Sequence, residues 1–177
     1  MCVPPVVAGA RAFLNDGRGA FSMTAQLLGE TGARAIALGD VTGDGNIDLV
    51  ISHWFGAGKY AANQLYLNDG EGNFKISDAL GTDGGDIALG DLDGDGDLDV
   101  VYSHLTPYGP TQGPFNRSVI LLNDGQGGFS ESQRTLGDPA FQWFALGDLD
   151  GDASLDAFVF HQVGVSGNYS SVWLNQR

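Results

Sequence analysis

Apolar and polar residues alternate along most of the chain in short runs, and Asp-Gly pairs separate many of these runs. The run QLYLN (64–68) alternates in this way, and β-branched and aromatic residues are common in the other runs, which favours strands over helices. Asp-Gly between apolar runs is a strong hairpin signal. No ten-residue stretch free of glycine shows helical periodicity. The pattern therefore predicts an all-β fold of short antiparallel strands.

The predicted strands recur as a repeat. Residues 35–53 (AIALGDVTGDGNIDLVISH) match residues 86–104 and 143–161, with the aligned aspartates at Asp40, Asp91 and Asp148. A second motif, Leu-Asn-Asp-Gly, recurs within residues 13–21, 66–74 and 121–129, and an incomplete copy, WLNQR, occupies 173–177. Each repeat predicts four strands: one on either side of the aspartate-rich loop and one on either side of the Asn-Asp-Gly turn.

Four-stranded units that recur about every fifty residues are typical of β-propeller blades. A single such sheet cannot bury both faces, and stacking against neighbouring sheets solves this problem. We expect the first-strand residues Ile36, Ile87 and Phe144 to pack between blades. The predicted organisation is an N-terminal tail at 1–10 and one propeller segment at 11–177, made of a partial blade at 11–28, blades at 34–79 and 86–132, and an incomplete blade at 142–177.

The three aspartate-rich segments, which we call the first, second and third acidic loops, span residues 40–48, 91–99 and 148–156. Ca²⁺ takes six to eight oxygen ligands at about 2.3–2.6 Å. Side chains at loop positions 1, 3, 5 and 9 and the carbonyl of position 7 can converge on one ion where glycine allows a sharp turn. The candidate ligands are Asp91, Asp93, Asp95, Asp97 and Asp99 in the second loop; Asp148, Asp150, Asp152, Ser154 and Asp156 in the third; and Asp40, Thr42, Asp44, Asn46 and Asp48 in the first.

The second loop has the complete set of carboxylates, whereas the neutral Thr42 predicts a weaker first site. We therefore expect about three calcium ions per chain. The alternative is that the aspartates only form turns, as Asp and Asn often do.

Three copies of D-x-[DT]-x-D-[GA]-x-x-D in register, together with the predicted strands, resemble the FG-GAP repeat of integrin α-chain propellers and its bacterial relative, the VCBS repeat. The resemblance covers roughly residues 11–177, with Thr42 and Ala153 as departures from the usual residues. It implies calcium in the hairpin between strands one and two of each blade. It also implies an extracellular or cell-surface location, although MCVPPVVAGA (1–10) lacks the features of a signal peptide. The sequence itself leaves the location open.

The formal net charge of −14, with no basic stripe, excludes a nucleic-acid binder that depends on phosphate contacts and favours cations as partners. A single cysteine, Cys2, excludes an internal disulfide framework. No apolar run of about 18 residues is present, so we expect no membrane span.

A histidine follows the last aspartate of each loop at the same distance, as His53, His104 and His161. One interpretation is a set of equivalent sugar or metal sites on a rim of the propeller; the other is a repeated residue that hydrogen-bonds the neighbouring blade. We expect the segments that follow these histidines to be loops. They contain aromatic residues suited to carbohydrate or protein recognition: Trp54, Tyr60, Tyr108 and Tyr169.

The sequence contains no nucleophile elbow, zinc signature or phosphate loop, so we expect no enzymatic activity. The leading hypothesis is a calcium-binding propeller module for adhesion or for binding a protein or carbohydrate. The alternatives are an enzyme that uses the propeller as a scaffold and acts on polysaccharide, and a structural fragment of a longer FG-GAP array.

The number of blades predicts an assembly. The Leu-Asn strand occurs four times but the acidic hairpin only three times, and propellers usually have four to eight blades. Two copies related by a two-fold axis would make a six-bladed ring, so we expect a homodimer. The alternative is that the segment belongs to a longer six- or seven-bladed chain.

Overall fold

A computed structural model describes residues 9–29, 32–53, 62–82, 84–104, 117–136, 141–163 and 167–175. These residues form thirteen strands in four antiparallel sheets, which confirms the predicted all-β class. Within the same ranges, no helix has the length and apolar character needed to cross a membrane.

Each sheet is an up-and-down meander in which strands pair in chain order. The N-terminal hairpin pairs β1 (Phe13–Asn15) with β2 (Phe21–Met23). The first blade contains β3 (Ala33–Gly39), β4 (Asp48–His53), β5 (Ala62–Asn68) and β6 (Phe74–Thr82). The second blade contains β7 (Gly84–Gly90), β8 (Asp99–His104), β9 (Arg117–Asn123) and β10 (Phe129–Glu131). The third blade has three strands in the described residues: β11 (Phe141–Gly147), β12 (Asp156–Val163) and β13 (Gly167–Trp173).

The first two strands of every blade pair in the same register. The last glycine of the first strand lies opposite the last aspartate of the acidic loop, as Gly39 opposite Asp48, Gly90 opposite Asp99 and Gly147 opposite Asp156. Each acidic loop therefore closes a hairpin at the same end of its sheet, and the three loops are structurally equivalent.

The main hydrophobic core lies between the first and second blades. Val50 and Leu65 of the first blade pack with Val100, Tyr102 and Val119 of the second. Since both sheets contribute one face to this core, stacking buries surface that neither sheet could bury alone.

A leucine in the outer strand of a unit, or just beyond it, reaches the next blade along the chain. Leu28 follows β2 and packs against Ile51 and Tyr66 of the first blade. Leu80 lies in the core between the first and second blades, and Leu136 packs against Val159 of the third. The chain thus uses the same contact at each of its three internal junctions.

The predicted packing of first-strand residues between blades holds at two of three positions. Ile87 is 7% exposed in the main core, and Phe144 packs against the buried residues of the third blade. Ile36 differs, because its side chain is 58% exposed. The N-terminal hairpin has only two strands in the described residues, and neither of them covers β3.

We expect Leu80→Ala to lower the free energy of unfolding by about 2–5 kcal/mol, because it removes a buried side chain from the junction between two blades and leaves a cavity. Ile76→Ala is the matched control, since Ile76 is exposed on β6 of the same blade, and its cost should stay below about 1 kcal/mol. Urea unfolding of both variants measures the difference. Equal costs would contradict the assignment of Leu80 to the core.

Candidate metal-binding loops

The aspartate at position 9 of each acidic loop is buried and joins three parts of its blade. The Oδ2 atom of Asp99 accepts a hydrogen bond from the backbone N–H of Leu92 (2.8 Å), at loop position 2. Its Oδ1 atom accepts one from the backbone N–H of Asn123 (2.9 Å), where the third strand ends. The same pair of bonds recurs at Asp48, from Val41 (3.1 Å) and Asn68 (2.9 Å), and at Asp156, from Leu149 (2.7 Å) and Asn175 (2.8 Å).

Burial acts against the charge on two of these aspartates. Desolvation raises the pKa of Asp48 and of Asp99 above the ordinary aspartate value, even though the two backbone N–H bonds lower it. Neighbouring carboxylates add to the increase, those of Asp93 and Asp95 in the case of Asp99. A cation beside these groups would favour their charged form.

The aspartate at position 1 organises the turn. Asp91 accepts hydrogen bonds from the N–H groups of Gly94 (2.6 Å) and Gly96 (3.2 Å). Asp148 has the equivalent bonds from Gly151 (2.7 Å) and Ala153 (3.1 Å). In the first loop the N–H of Gly45 lies 2.8 Å from Asp40 Oδ2, and this bond is the main cause of a lowered pKa at Asp40.

Positions 3 and 5 form short turns with the backbone two residues on. Asp93 accepts from the N–H of Asp95 (3.2 Å), and Asp95 accepts from the N–H of Asp97 (2.9 Å). The corresponding bonds of the other loops run from Asp152 to Asp150 (3.2 Å), from Ser154 to Asp152 (2.7 Å) and from Asn46 to Asp44 (2.8 Å). The aspartates therefore do form turns, and these turns satisfy much of the dense negative charge with backbone N–H groups.

Two loops also bring three carboxylates together. One oxygen each of Asp91, Asp93 and Asp99 lies within 4.8 Å of the others, and Asp148, Asp150 and Asp156 form the same group in the third loop. Two oxygens on opposite sides of a Ca²⁺ ion are about 4.6–5.2 Å apart, which is twice the Ca–O distance. The donor type and the spacing fit a hard divalent cation.

The structure brings together positions 1, 3 and 9 of these two loops, whereas Asp95 and Asp152 at position 5 lie outside the groups. The first loop forms no such group among the described residues. Thr42 occupies its position 3, so Asp40, Asp44 and Asp48 lack the carboxylate that completes the second and third loops.

Position 7 of the loop faces the Asn-Asp-Gly turn of its own blade. A Cβ atom at Gly125 would be 2.5 Å from the carboxylate of Asp97, and a Cβ atom at Gly70 would be 2.7 Å from Asn46 Oδ1. In the first and second loops, the side chain at position 7 is thus directed to the neighbouring turn.

An asparagine of the next blade contacts each of the first two loops. The side-chain amide of Asn123 donates to the carbonyl of Leu98 in its own blade (3.0 Å) and to the carbonyl of Val41 in the first loop (2.9 Å). Asn175 donates in the same way to Leu92 in the second loop (3.3 Å). Sequence reasoning missed these bonds, although the recurrence of asparagine in every Leu-Asn strand was visible.

The predicted rim residues are only partly within the described structure. His53 is fully buried at the end of β4, and its backbone N–H donates to Asn63 Oδ1 (3.0 Å). His104 and His161 occupy the equivalent register positions on β8 and β12. Trp54, Tyr60 and Tyr108 lie outside the described residues.

Tyr169 corrects one expectation. It was predicted to lie in a loop, but it belongs to β13 and pairs with His161 on β12. Only residues 164–166 separate the end of β12 at Val163 from the start of β13 at Gly167.

A family model described as an FG-GAP-like repeat matches residues 54–102, from the segment after β4 to β8, and includes the complete second loop. The chain therefore contains an FG-GAP-type repeat. FG-GAP repeats form propellers, so the stacked antiparallel sheets are propeller blades. A search of curated proteins found no match to the chain.

We expect Asp99→Asn to lower the free energy of unfolding by about 1–3 kcal/mol in the presence of a chelator. An amide has one acceptor oxygen, so the N–H of Leu92 or of Asn123 would lose its buried partner. Asp95→Asn is the control, because Asp95 is exposed and an amide oxygen can still accept from Asp97. Chemical denaturation should place the control within about 0.5 kcal/mol of the parent protein; a loss as large as that of Asp99→Asn would contradict the structural role.

Ala153→Gly should stabilise the protein by about 1 kcal/mol. Ala153 has a φ of 68°, in the left-handed region that favours glycine. The first and second loops have glycine at the equivalent position, as Gly45 and Gly96. The reverse change, Gly96→Ala, should cost a similar amount, since the added Cβ meets nothing within 4 Å and only the backbone is strained. Melting temperatures of the two variants should move in opposite directions.

Proposed function

We propose that this protein is a calcium-binding propeller module that binds a protein or carbohydrate ligand or mediates adhesion. The observation that carries the proposal is the pair of three-carboxylate groups, Asp91 with Asp93 and Asp99, and the equivalent group of the third loop.

The chemistry of the donors supports calcium. Every side chain in the two groups offers a carboxylate oxygen, and neither group contains histidine or cysteine. Oxygen-only sets suit Ca²⁺, Mg²⁺ and Mn²⁺, whereas zinc and copper sites usually include nitrogen or sulfur ligands. The net charge of −14 adds a long-range attraction for cations.

An ion at the second loop would stabilise more than the loop itself. Asp99 is bonded to the end of the third strand at Asn123, and the amide of Asn123 is bonded to Val41 of the preceding blade. Asp91 and Asp93 belong to the turn alone. A cation shared by these carboxylates would therefore link a hairpin, a third strand and an adjacent blade, and it would reduce the repulsion that opposes their close approach.

The ligand surface is proposed at the connections between second and third strands. These connections, residues 54–61 and 105–116, differ in length, whereas every acidic loop keeps nine residues. Loops that vary on a constant scaffold are the usual place for recognition. Both connections carry aromatic residues, Trp54 in the first and Tyr108 in the second.

Calcium should raise the melting temperature relative to chelator, because an ion at 100 times its dissociation constant adds about 2.7 kcal/mol per site. Calorimetric titration should find two stronger sites, from the second and third loops, and a weaker first site. Identical melting temperatures in excess calcium and in chelator would refute the proposal.

Asp93→Asn tests the assignment of the ligands. The variant removes one carboxylate from the second group, and its amide oxygen can still accept from Asp95, so the fold should persist in chelator. We expect the calcium affinity of one site to fall at least tenfold, or about 1.4 kcal/mol. Asp78→Asn makes the same charge change on β6 away from the loops, and it should leave the titration unchanged.

A further inference from the structure

We propose that the two end faces of the blade stack bind each other between copies of this chain, so that the face of the first blade in one copy packs on the face of the third blade in another. The occupant of each free face is thus a second copy. Each contact between blades within the chain has two halves, and the end blades each present one half.

The first contact is a leucine seated on a glycine. Leu98 of the second blade lies over Gly39 of the first, where an added Cβ would be 2.7 Å from Leu98 Cδ1. Leu155 of the third blade lies over Gly90 of the second, and the corresponding distance is 2.5 Å. Each glycine therefore provides the recess into which the next blade places its side chain.

The two unmatched halves of this contact lie at opposite ends of the stack. Ile47 is the first-blade residue equivalent to Leu98 and Leu155, and its side chain is 50% exposed. Gly147 is the third-blade residue equivalent to Gly39 and Gly90, and an added Cβ would meet nothing within 4 Å. Ile47 of one copy fits the recess at Gly147 of another.

The second contact is the asparagine bond between blades. Asn123 donates to Val41 in the preceding blade and Asn175 donates to Leu92. The equivalent donor in the first blade is Asn68, whose amide donates to its own Ile47 (3.0 Å). The equivalent acceptor in the third blade is the carbonyl of Leu149, to which no asparagine of the described residues donates. Asn68 of a second copy would supply that bond and complete the third acidic loop.

The end faces are also apolar despite the acidic character of the chain. Ile36 and Leu38 are exposed on the first blade, whereas their equivalents in the second blade, Ile87 and Leu89, are buried and partly buried in the core against the first blade. On the third blade, Trp143 and Phe158 are exposed, both more than 40%. Uncovered apolar sheet faces of this kind mark interaction surfaces.

The exposed end face of the third blade carries bulkier side chains than the equivalent internal face of the first blade. Trp143 and Phe160, whose ring centroids are 5.6 Å apart, occupy the positions that Ala35 and Ser52 occupy in the first blade. There, Ser52 Oγ donates to the carbonyl of Gly85 across the junction (2.7 Å). The junction between copies is therefore chemically distinct from the internal ones, which favours one pairing of faces.

One strand must move for two copies to meet. β1 of the N-terminal hairpin and β13 of a second copy are both third strands, and they would occupy the same place. β13 is bonded to its own blade through Asn175 and Asp156, whereas both strands of the N-terminal hairpin are exposed along their length. We therefore expect β13 of one copy to keep its place and β1 of the other copy to move away. β2 of that other copy would then pair with the outer edge of this β13 as the fourth strand of the blade.

Light scattering coupled to size-exclusion chromatography tests the contact, at several concentrations and in both calcium and chelator. We expect a mass twice that of the 18.5 kDa chain, which corresponds to a closed six-bladed ring. Gly147→Leu should give a folded monomer, since the recess is empty in a single chain, and its melting temperature should no longer depend on protein concentration. Leu38→Lys should do the same from the opposite face, and a mixture of the two variants should form a dimer through their intact faces.

Ser130→Leu is the control, because it adds a leucine to an exposed position on β10 of the middle blade and should leave the dimer intact. A parent protein that is monomeric at every concentration, or a dimer that survives Gly147→Leu, would overturn the inference. If the parent protein forms larger assemblies and Gly147→Leu reduces them to monomers, the contact between end faces is supported. The rotation from one copy to the next would then not close the ring after two copies. Calcium titration of the Gly147→Leu monomer separates this inference from the proposed metal sites, because association and ion binding are measured independently.

Discussion

The buried carboxylate at position 9 of the acidic loop is the interaction on which each blade depends. In the second blade, Asp99 accepts from Leu92 with one oxygen and from Asn123 with the other, and so fixes the loop against the end of the third strand. Hydrogen bonds to a charged group are each worth about 1.5–3 kcal/mol, and the two bonds lower the pKa of Asp99, but desolvation outweighs them and holds this pKa above the ordinary aspartate value. The arrangement requires an anion in a poorly solvated place, and the same carboxylate is a member of the candidate metal group. Structural and metal-binding roles therefore coincide in one residue.

The stack of blades follows from this local geometry. Once Asp99 has fixed the N–H of Asn123, the side chain of Asn123 lies where its amide can donate to Val41 of the preceding blade. The backbone bond organises the blade and the side-chain bond joins it to its neighbour, so one residue connects two levels of structure. Leu80 adds the apolar part of the same junction from the outer strand. Because polar and apolar contacts recur together, the relative position of successive blades is specified by the repeat itself.

The sequence predicted the features that depend on residues close together in the chain. Alternation and Asp-Gly turns located the strands, and the spacing of the aspartates identified Asp91, Asp93 and Asp99, which the structure brings together. Asp95 at position 5, which was also predicted as a ligand, lies outside this group. The packing of Ile87 and Phe144 between blades was also predicted, but the leucine and asparagine contacts between blades were not, since they depend on how the sheets stack. A signal was nevertheless present: a Leu-Gly pair precedes each acidic loop, beginning at Leu28, Leu80 and Leu136.

Every junction between blades has one side that donates contacts and one side that receives them. Any open stack leaves one half of the contact at each end, and these halves are complementary because they descend from the same interface. Here they are Ile47 with Asn68 at one end and Gly147 with the Leu149 carbonyl at the other. Closure of a ring satisfies both, whereas an open stack exposes apolar faces and sheet edges to other chains. The third blade departs from the repeat at Trp143 and Phe160, on the face where an exact copy would pair indiscriminately. Trp143 and Phe160 stand where the first blade has Ala35 and Ser52, so this end face differs in bulk and polarity from the equivalent internal face.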